Sequence, residues 1–193
     1  MFLVVGLGNP GAEYSGNRHN AGFMVTERLR AKGAMGRWEK KFSGQMVKGK
    51  IEDVDVVVLQ PLTYMNVSGR SVQRTAAFFQ MTPAETVVVH DDLDLPFGTV
   101  RVKEAGGTGG HKGLKSIHET FGTDAYLRVR VGIGRPAVGT AEDWVLQDFA
   151  ADERIDLDRV LGRAAEAVVC VLTKGVASAM NEFNGQQGKA IGA

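Results

Sequence analysis

The stretch VVGLGNPGAEYSGNRHNAGF, residues 4–23, decides how the start of the chain is interpreted. Residues 2–7 form an apolar run typical of a buried strand, and the glycines that end it match the pattern G-x-G-x-x-G. A dinucleotide site requires a helix that begins at those glycines and a second strand ending in an acidic residue about 20 positions later. Here Pro10 interrupts the motif and mostly polar residues follow Gly11. The context therefore disfavours a nucleotide site, and the glycines are better explained by a tight turn that presents Asn9.

Polar side chains follow three apolar runs, which predict buried strands at residues 2–7, 54–59 and 86–90. The first run leads to Asn9, the second to Tyr64 and Asn66, and the third to Asp91. Ligands of open α/β sheets bind beyond the carboxyl ends of the strands. If the three strands are parallel neighbours, these side chains meet at one edge of the sheet, beneath the loop that carries His19.

The rest of the chain predicts strands mixed with helices. Segments 99–103 and 127–133 alternate between apolar and polar residues and predict half-exposed strands. Apolar residues at helical spacing predict four helices, which start at Ala21, lie ahead of Pro83, start at Leu114 and span residues 152–174. This order favours a single α/β domain with a mixed sheet over residues 1–185, followed by a flexible polar tail at 186–193.

Composition is that of an ordinary globular protein, with 193 residues, 44% of them hydrophobic and 23% charged. The single cysteine, Cys170, excludes an internal disulfide framework, and no apolar run approaches the length of a membrane span. We therefore expect a soluble protein of a reducing compartment. Residues 1–137 carry 18 basic and 13 acidic side chains, against five and nine in residues 138–193. A polyanionic partner is expected to bind the first part.

His19 and Asp91 are the candidate catalytic residues. A His–Asp pair without a suitably placed serine or cysteine suggests activation of water, because the carboxylate fixes the imidazole tautomer that has a free acceptor nitrogen. Nearby asparagine amides can donate to a developing oxyanion. Taken alone, His19 is more simply explained as a histidine that caps a helix or lies in a solvated loop. A metal site would need more ligands at suitable spacings, so we expect none.

Five long motifs occur in one order along most of the chain. They are GLGNPGxxYxxxRHNAG (6–22), PLTYMNxSG (61–69), HDDLDLPxG (90–98), GGTGGHKGLKS (106–116) and RVRVGIGRP (128–136). Together they resemble the bacterial-type peptidyl-tRNA hydrolases. The resemblance implies one α/β domain with a twisted mixed sheet flanked by helices. It also implies hydrolysis of the ester between peptide and tRNA without a cofactor. We further expect a cytoplasmic protein that acts as a monomer, with no obligate protein partner and no membrane.

The resemblance also implies a role for individual residues. His19 is the expected general base and Asp91 its orienting partner, while Asn9 helps to distinguish N-blocked peptidyl-tRNA from free aminoacyl-tRNA. The remaining expected contacts are with the 3′ end and the peptide backbone of the substrate (Tyr14, Tyr64, Met65, Asn66) and with the body of the tRNA (Lys103, Arg130).

Lys112 departs from the family pattern, which usually has asparagine after the Gly-His pair. An ammonium group donates hydrogen bonds but cannot accept them. Two placements remain open for it, on a tRNA phosphate or ribose hydroxyl, or in solvent. Two other functions also remain open, an inert RNA-binding module of the same fold and, with less support, a nucleotide-binding oxidoreductase.

Overall fold

The computed structural model describes residues 1–185, so the expected tail at 186–193 lies outside it. The strands of this part are β1 (Phe2–Gly6), β2 (Glu39–Lys41), β3 (Gly44–Ile51), β4 (Val54–Pro61), β5 (Thr86–Asp92), β6 (Val100–Lys103) and β7 (Leu127–Gly132). The helices are α1 (Ala21–Lys32), α2 (Ser68–Phe78), α3 (Lys112–Phe121), α4 (Ala141–Val145), α5 (Ala151–Lys174) and α6 (Val176–Asn184).

The strands form one mixed sheet in the order β2-β3-β4-β1-β5-β7-β6. Its centre is parallel, because β1 pairs with both β4 and β5, and β5 pairs with β7. Antiparallel pairs complete the two edges, with β2 on β3 and β3 on β4 at one edge and β6 on β7 at the other. The three apolar runs are therefore parallel neighbours, as predicted, and their carboxyl ends lie side by side.

Helices cover both faces of the sheet. Successive side chains of a strand point to opposite faces, so each central strand contributes to the core on both sides. Leu3 and Val5 of β1 pack into a core with residues of α2 and α3. Val4 points the other way, into a core that includes residues of α1, α5 and α6. The expected fold class, an α/β domain with a twisted mixed sheet flanked by helices, is confirmed.

The first glycines of the chain bring β1 and α1 together. A Cβ atom on Gly6 would lie 2.3 Å from the carbonyl oxygen of Gly22, and one on Gly22 would lie 2.4 Å from the backbone nitrogen of Leu7. Both distances are far below van der Waals contact. Gly6, the first glycine of the G-x-G-x-x-G match, therefore serves close strand–helix packing together with Gly22, which lies outside the match.

Two local predictions need correction. Helix α3 begins at Lys112, two residues before the expected Leu114, because the His111 side chain caps its first turn. Strand β7 is mostly buried rather than half-exposed, because β5 and β6 pair with its two edges and helices cover the sheet. Among residues 1–185, no helix is long and apolar enough to cross a membrane.

Candidate active site

A cleft of about 690 Å³ opens at the carboxyl ends of β1, β4 and β5. Seven of the predicted site residues line it: Asn9, His19, Tyr64, Met65, Asn66, Asp91 and Lys112. Tyr14 is not part of this lining and lies half-buried in a 3₁₀ turn, Ala12–Tyr14. Lys103 and Arg130 lie outside the cleft, on β6 and β7.

His19 contacts Asp91 as the sequence predicts. It lies in the 3₁₀ turn Arg18–Asn20, directly ahead of α1, and its Nδ1 atom is 2.9 Å from each carboxylate oxygen of Asp91. A carboxylate only accepts hydrogen bonds, so Nδ1 carries the hydrogen in this contact. In the neutral ring this leaves the lone pair on Nε2, the form required of a base.

His111 is a second partner of Asp91 that sequence reasoning missed. Its Nδ1 accepts from the backbone N–H groups of Gly113 (3.1 Å) and Leu114 (3.4 Å), capping α3. Nε2 must then carry the hydrogen, and it donates to Oδ1 of Asp91 over 3.0 Å. The signal for the cap was present, because a histidine directly before a helix start can accept from its free N–H groups. The contact with Asp91 had no sequence signal.

The electrostatics of the site keep Asp91 ionised. Burial raises the pKa of this carboxyl, but the imidazoles of His19 and His111 outweigh that effect and hold the pKa well below its usual range. Burial has the opposite effect on the pKa of the neighbouring residue, His90. Together with the electrostatic effect of His111, it lowers the pKa of His90 to about 3. The site therefore contains a fixed negative charge at Asp91 and a neutral imidazole at His90.

His19, Asp91 and His111 also form the kind of group that can hold a metal, with their potential ligand atoms within 4.8 Å of one another. The hydrogen bonds argue against that use. A metal ligand must offer a lone pair, and on His111 the only lone pair is engaged by the first turn of α3. The three groups fit a hydrogen-bonded network better than a coordination shell. That the protein requires no metal ion stays a prediction.

Asn9 is oriented by contacts with two loops. Its backbone N–H donates to the Asn20 side chain and its carbonyl accepts from that same side chain, both over 2.9 Å. Its own Oδ1 accepts from the backbone N–H of Met65 over 3.0 Å. With the oxygen engaged, the amide hydrogens on Nδ2 are the donors that Asn9 offers to a ligand in the cleft.

Arg18, which precedes His19, joins the site to the start of α5. This side chain is 2% exposed, and its guanidinium lies 3.6 Å from the ring centroid of Trp144. It donates to the Asp148 carbonyl over 2.8 Å and pairs with Glu153 over 2.6 Å. These contacts fix the backbone that carries His19, and the sequence alone did not reveal them.

Lys112 forms an ion pair at the cleft while more than half of its side chain stays exposed, so both placements left open by the sequence stay predictions. Its Nζ atom lies 2.7 Å from a carboxylate oxygen of Glu142, the second residue of α4. Both residues line the cleft and both side chains are more than half exposed.

A basic patch lies on one face of the antiparallel β6–β7 strand pair. Lys103 is opposite Arg128 and Arg101 is opposite Arg130, so all four side chains share a face. Arg128 is buried and donates to the carbonyls of Gly106 and Gly107, while Arg130 donates to Asp92 over 2.7 Å. Lys103 is therefore the exposed member, and Arg130 is a half-buried one already paired with a carboxylate.

Comparison with known proteins identifies the family of this chain. The family model described as Peptidyl-tRNA hydrolase matches residues 3–190. The chain belongs to the peptidyl-tRNA hydrolase family. It is 46% identical over 184 residues to a peptidyl-tRNA hydrolase of Carboxydothermus hydrogenoformans, covering 95% of this chain and 98% of that protein. It is 48% identical over 187 residues to one of Sorangium cellulosum, covering 95% and 84%.

Solved structures of the family share the fold. A peptidyl-tRNA hydrolase of Acinetobacter baumannii matches with a TM-score of 0.89 and 39% identity, covering 97% of this chain and 96% of that one. A complex of a peptidyl-tRNA hydrolase with N-propanol matches with a TM-score of 0.90 and 38% identity, covering 97% and 96%. The expected family, fold and enzyme class, a hydrolase acting on ester bonds, are thus confirmed, while the roles of the individual site residues stay predictions.

Proposed function

We propose that this peptidyl-tRNA hydrolase family member cleaves the ester between the peptide and the 3′ ribose of tRNA with a water molecule activated by His19. The observation that carries the proposal is the contact between Nδ1 of His19 and both carboxylate oxygens of Asp91. It sits in a cleft that also presents amides and lysines, which suit an ester joined to a polyanion.

The reaction uses one proton transfer in each direction. Nε2 of His19 takes a proton from water as the oxygen attacks the ester carbonyl, and Asp91 stabilises the imidazolium that forms. The tetrahedral intermediate then collapses, and the bond between the carbonyl carbon and the ribose oxygen breaks. Nε2 returns the proton to that oxygen, so that a tRNA with a free hydroxyl and a peptide with a free carboxylic acid leave, and the acid then releases its proton to solvent.

The residues around His19 supply binding and charge stabilisation. We assign the Nδ2 amide of Asn9, with that of Asn66, to donation toward substrate carbonyl oxygens. The side chain of Tyr64 is exposed at the cleft and offers a surface on which a base of the 3′ end can stack. Met65 contributes a buried apolar side chain to the cleft lining, and Tyr14 is assigned to the peptide end outside that lining.

No cofactor takes part in this scheme, because every step uses side chains of one chain and water. We further propose that the protein acts as a monomer in the cytoplasm, without an obligate protein partner. The support is that all residues assigned to the reaction come from one chain, and that the substrate is a product of translation.

The direct test is incubation of the purified protein with N-acetylaminoacyl-tRNA, measuring released N-acetylamino acid and deacylated tRNA. We expect catalytic turnover without added metal or cofactor. Binding of the substrate without release would instead identify an inert RNA-binding module.

Asn9→Ala is expected to narrow the preference for N-blocked over free aminoacyl-tRNA. The Nδ2 donor can bind the carbonyl of an N-acyl group, and a free ammonium group has no such acceptor. Removing a hydrogen bond of this kind lowers kcat/KM chiefly for the substrate that offered the partner. The measurement is kcat/KM for both substrates, and an equal decrease for the two contradicts the discriminating role.

Lys103→Ala and Arg130→Ala are expected to weaken tRNA binding to a similar degree for different tRNAs. A variant that makes one phosphate contact fewer should flatten the plot of log affinity against log salt by about one unit. The measurement is the dissociation constant of several tRNAs between low and moderate salt. Lys32→Ala is the matched control, since Lys32 is exposed at the end of α1, away from β6 and β7. An unchanged slope in both patch variants contradicts this tRNA surface.

A further inference from the structure

The first turn of α3 presents two lysine side chains to the cleft, while two of its backbone N–H groups are already occupied. A helix N-terminus ordinarily attracts anions through its unpaired N–H groups. Here the N–H groups of Gly113 and Leu114 are already held by Nδ1 of His111. The side chains of Lys112 and Lys115 are three residues apart, on the same side of the helix, and both line the cleft.

Lys112 is paired with a carboxylate from another helix that lines the cleft. The Oε1 atom of Glu142, in α4, is 2.7 Å from Nζ of Lys112. The two side chains are 58% and 73% exposed. Water screens a pair this exposed, so the contact contributes little stability and is easily exchanged for another anion.

The position of Lys112 indicates which anion replaces Glu142. His111, the preceding residue, donates to Asp91, which contacts His19. Lys112 is therefore one residue away from the group that holds the catalytic carboxylate. If the ester is cleaved at His19, the nearest anions of the substrate are the phosphodiesters of the 3′-terminal nucleotides.

We propose that Lys112 and Lys115 bind the 3′-terminal phosphodiesters of the substrate, and that Glu142 occupies the Lys112 position until a phosphate displaces it. This inference rests on the proposed function for its substrate class. It gives Lys112 a role that an asparagine at the same position does not have. Only the ammonium group is positively charged, so only with lysine does this position make the affinity depend on the phosphates of the ligand.

The test uses two ligands that cannot be hydrolysed, in which an amide replaces the ester. One is N-acetylaminoacyl adenosine, which has no phosphate, and the other is the same group on the trinucleotide CpCpA, which has phosphodiesters. We expect Lys112→Met to raise the dissociation constant of the trinucleotide about five- to tenfold, and that of the adenosine ligand at most about twofold. The log–log salt dependence for the trinucleotide should flatten by about 0.7, the value per phosphate for a single strand. Lys115→Met should act in the same direction.

Glu142→Gln tests the displacement. It should lower the dissociation constant of the trinucleotide about threefold when Lys112 is present. In the Lys112→Met background the decrease should be less than about 1.5-fold. Glu119→Gln removes the same charge from the same cleft without breaking an ion pair identified among residues 1–185. Its effect is therefore expected to be the same in both backgrounds.

The outcomes separate the inference from the proposed function. Equal weakening of both ligands by Lys112→Met, or an equal effect of Glu142→Gln in both backgrounds, overturns the inference, whatever the activity. If the binding results are as expected but peptidyl-tRNA is not hydrolysed, the phosphate site stands and the proposed hydrolysis fails.

Discussion

His19→Asn is expected to lower kcat for peptidyl-tRNA by about 10²–10⁴-fold, the usual contribution of a positioned general base. Asparagine has no basic nitrogen, so no group at this position takes a proton from the water molecule as it attacks the ester carbonyl carbon. The measurement is single-turnover release of the N-acetylamino acid. The dissociation constant of the amide-linked trinucleotide should change little, because phosphates and the peptide carbonyl are held by other residues.

His118→Asn is the matched control for this prediction. His118 lies at the other end of α3, beside Arg128, and does not line the cleft. The same substitution there is expected to leave kcat within a factor of about two. A His19 variant that retained wild-type turnover would falsify the assignment of the base.

The positions of these groups followed from the sequence to the extent that strand ends determine them. Three apolar runs predicted parallel strands, and parallel strands place their carboxyl ends at one edge. Asn9, Asn66 and Asp91 meet there for that reason. The loop with His19 follows the first strand after a short connection, so its position above the same edge was also predictable.

The parts that sequence could not supply depend on distant pairings. His111 is 20 residues from Asp91, and their contact arises only when α3 packs so that its first turn faces β5. Arg18 and Glu153 are 135 residues apart, and the local sequence pattern near Arg18 does not predict a partner in α5. Alternation placed Arg130 on a polar face but did not reveal that Asp92 lies within 2.7 Å of it.

Asp91→Asn is expected to reduce kcat by about 10³–10⁴-fold, in the range known for loss of the orienting aspartate in a catalytic triad. The reason lies in His111, whose hydrogen is fixed on Nε2 by the cap on α3. An asparagine at position 91 has one acceptor oxygen, and it must turn this oxygen toward the Nε2–H of His111. Its NH₂ group then takes the Oδ2 position, 2.9 Å from Nδ1 of His19, and competes there with the oxygen at the Oδ1 position, which is also 2.9 Å from Nδ1. By donating to Nδ1 the NH₂ group favours the His19 tautomer with its hydrogen on Nε2, which has no basic lone pair at that nitrogen.

This explanation makes an unusual prediction for a double variant. His111→Asn keeps a side-chain oxygen that can cap α3 but is too short to hold position 91 as histidine does. In Asp91→Asn/His111→Asn the amide at position 91 is free to turn its oxygen toward Nδ1–H of His19, which restores the basic form. We therefore expect the double variant to be more active than Asp91→Asn alone, although His111→Asn by itself lowers kcat. Single-turnover rates of the four proteins measure this, and a double variant no faster than Asp91→Asn rules out tautomer control by Asp91.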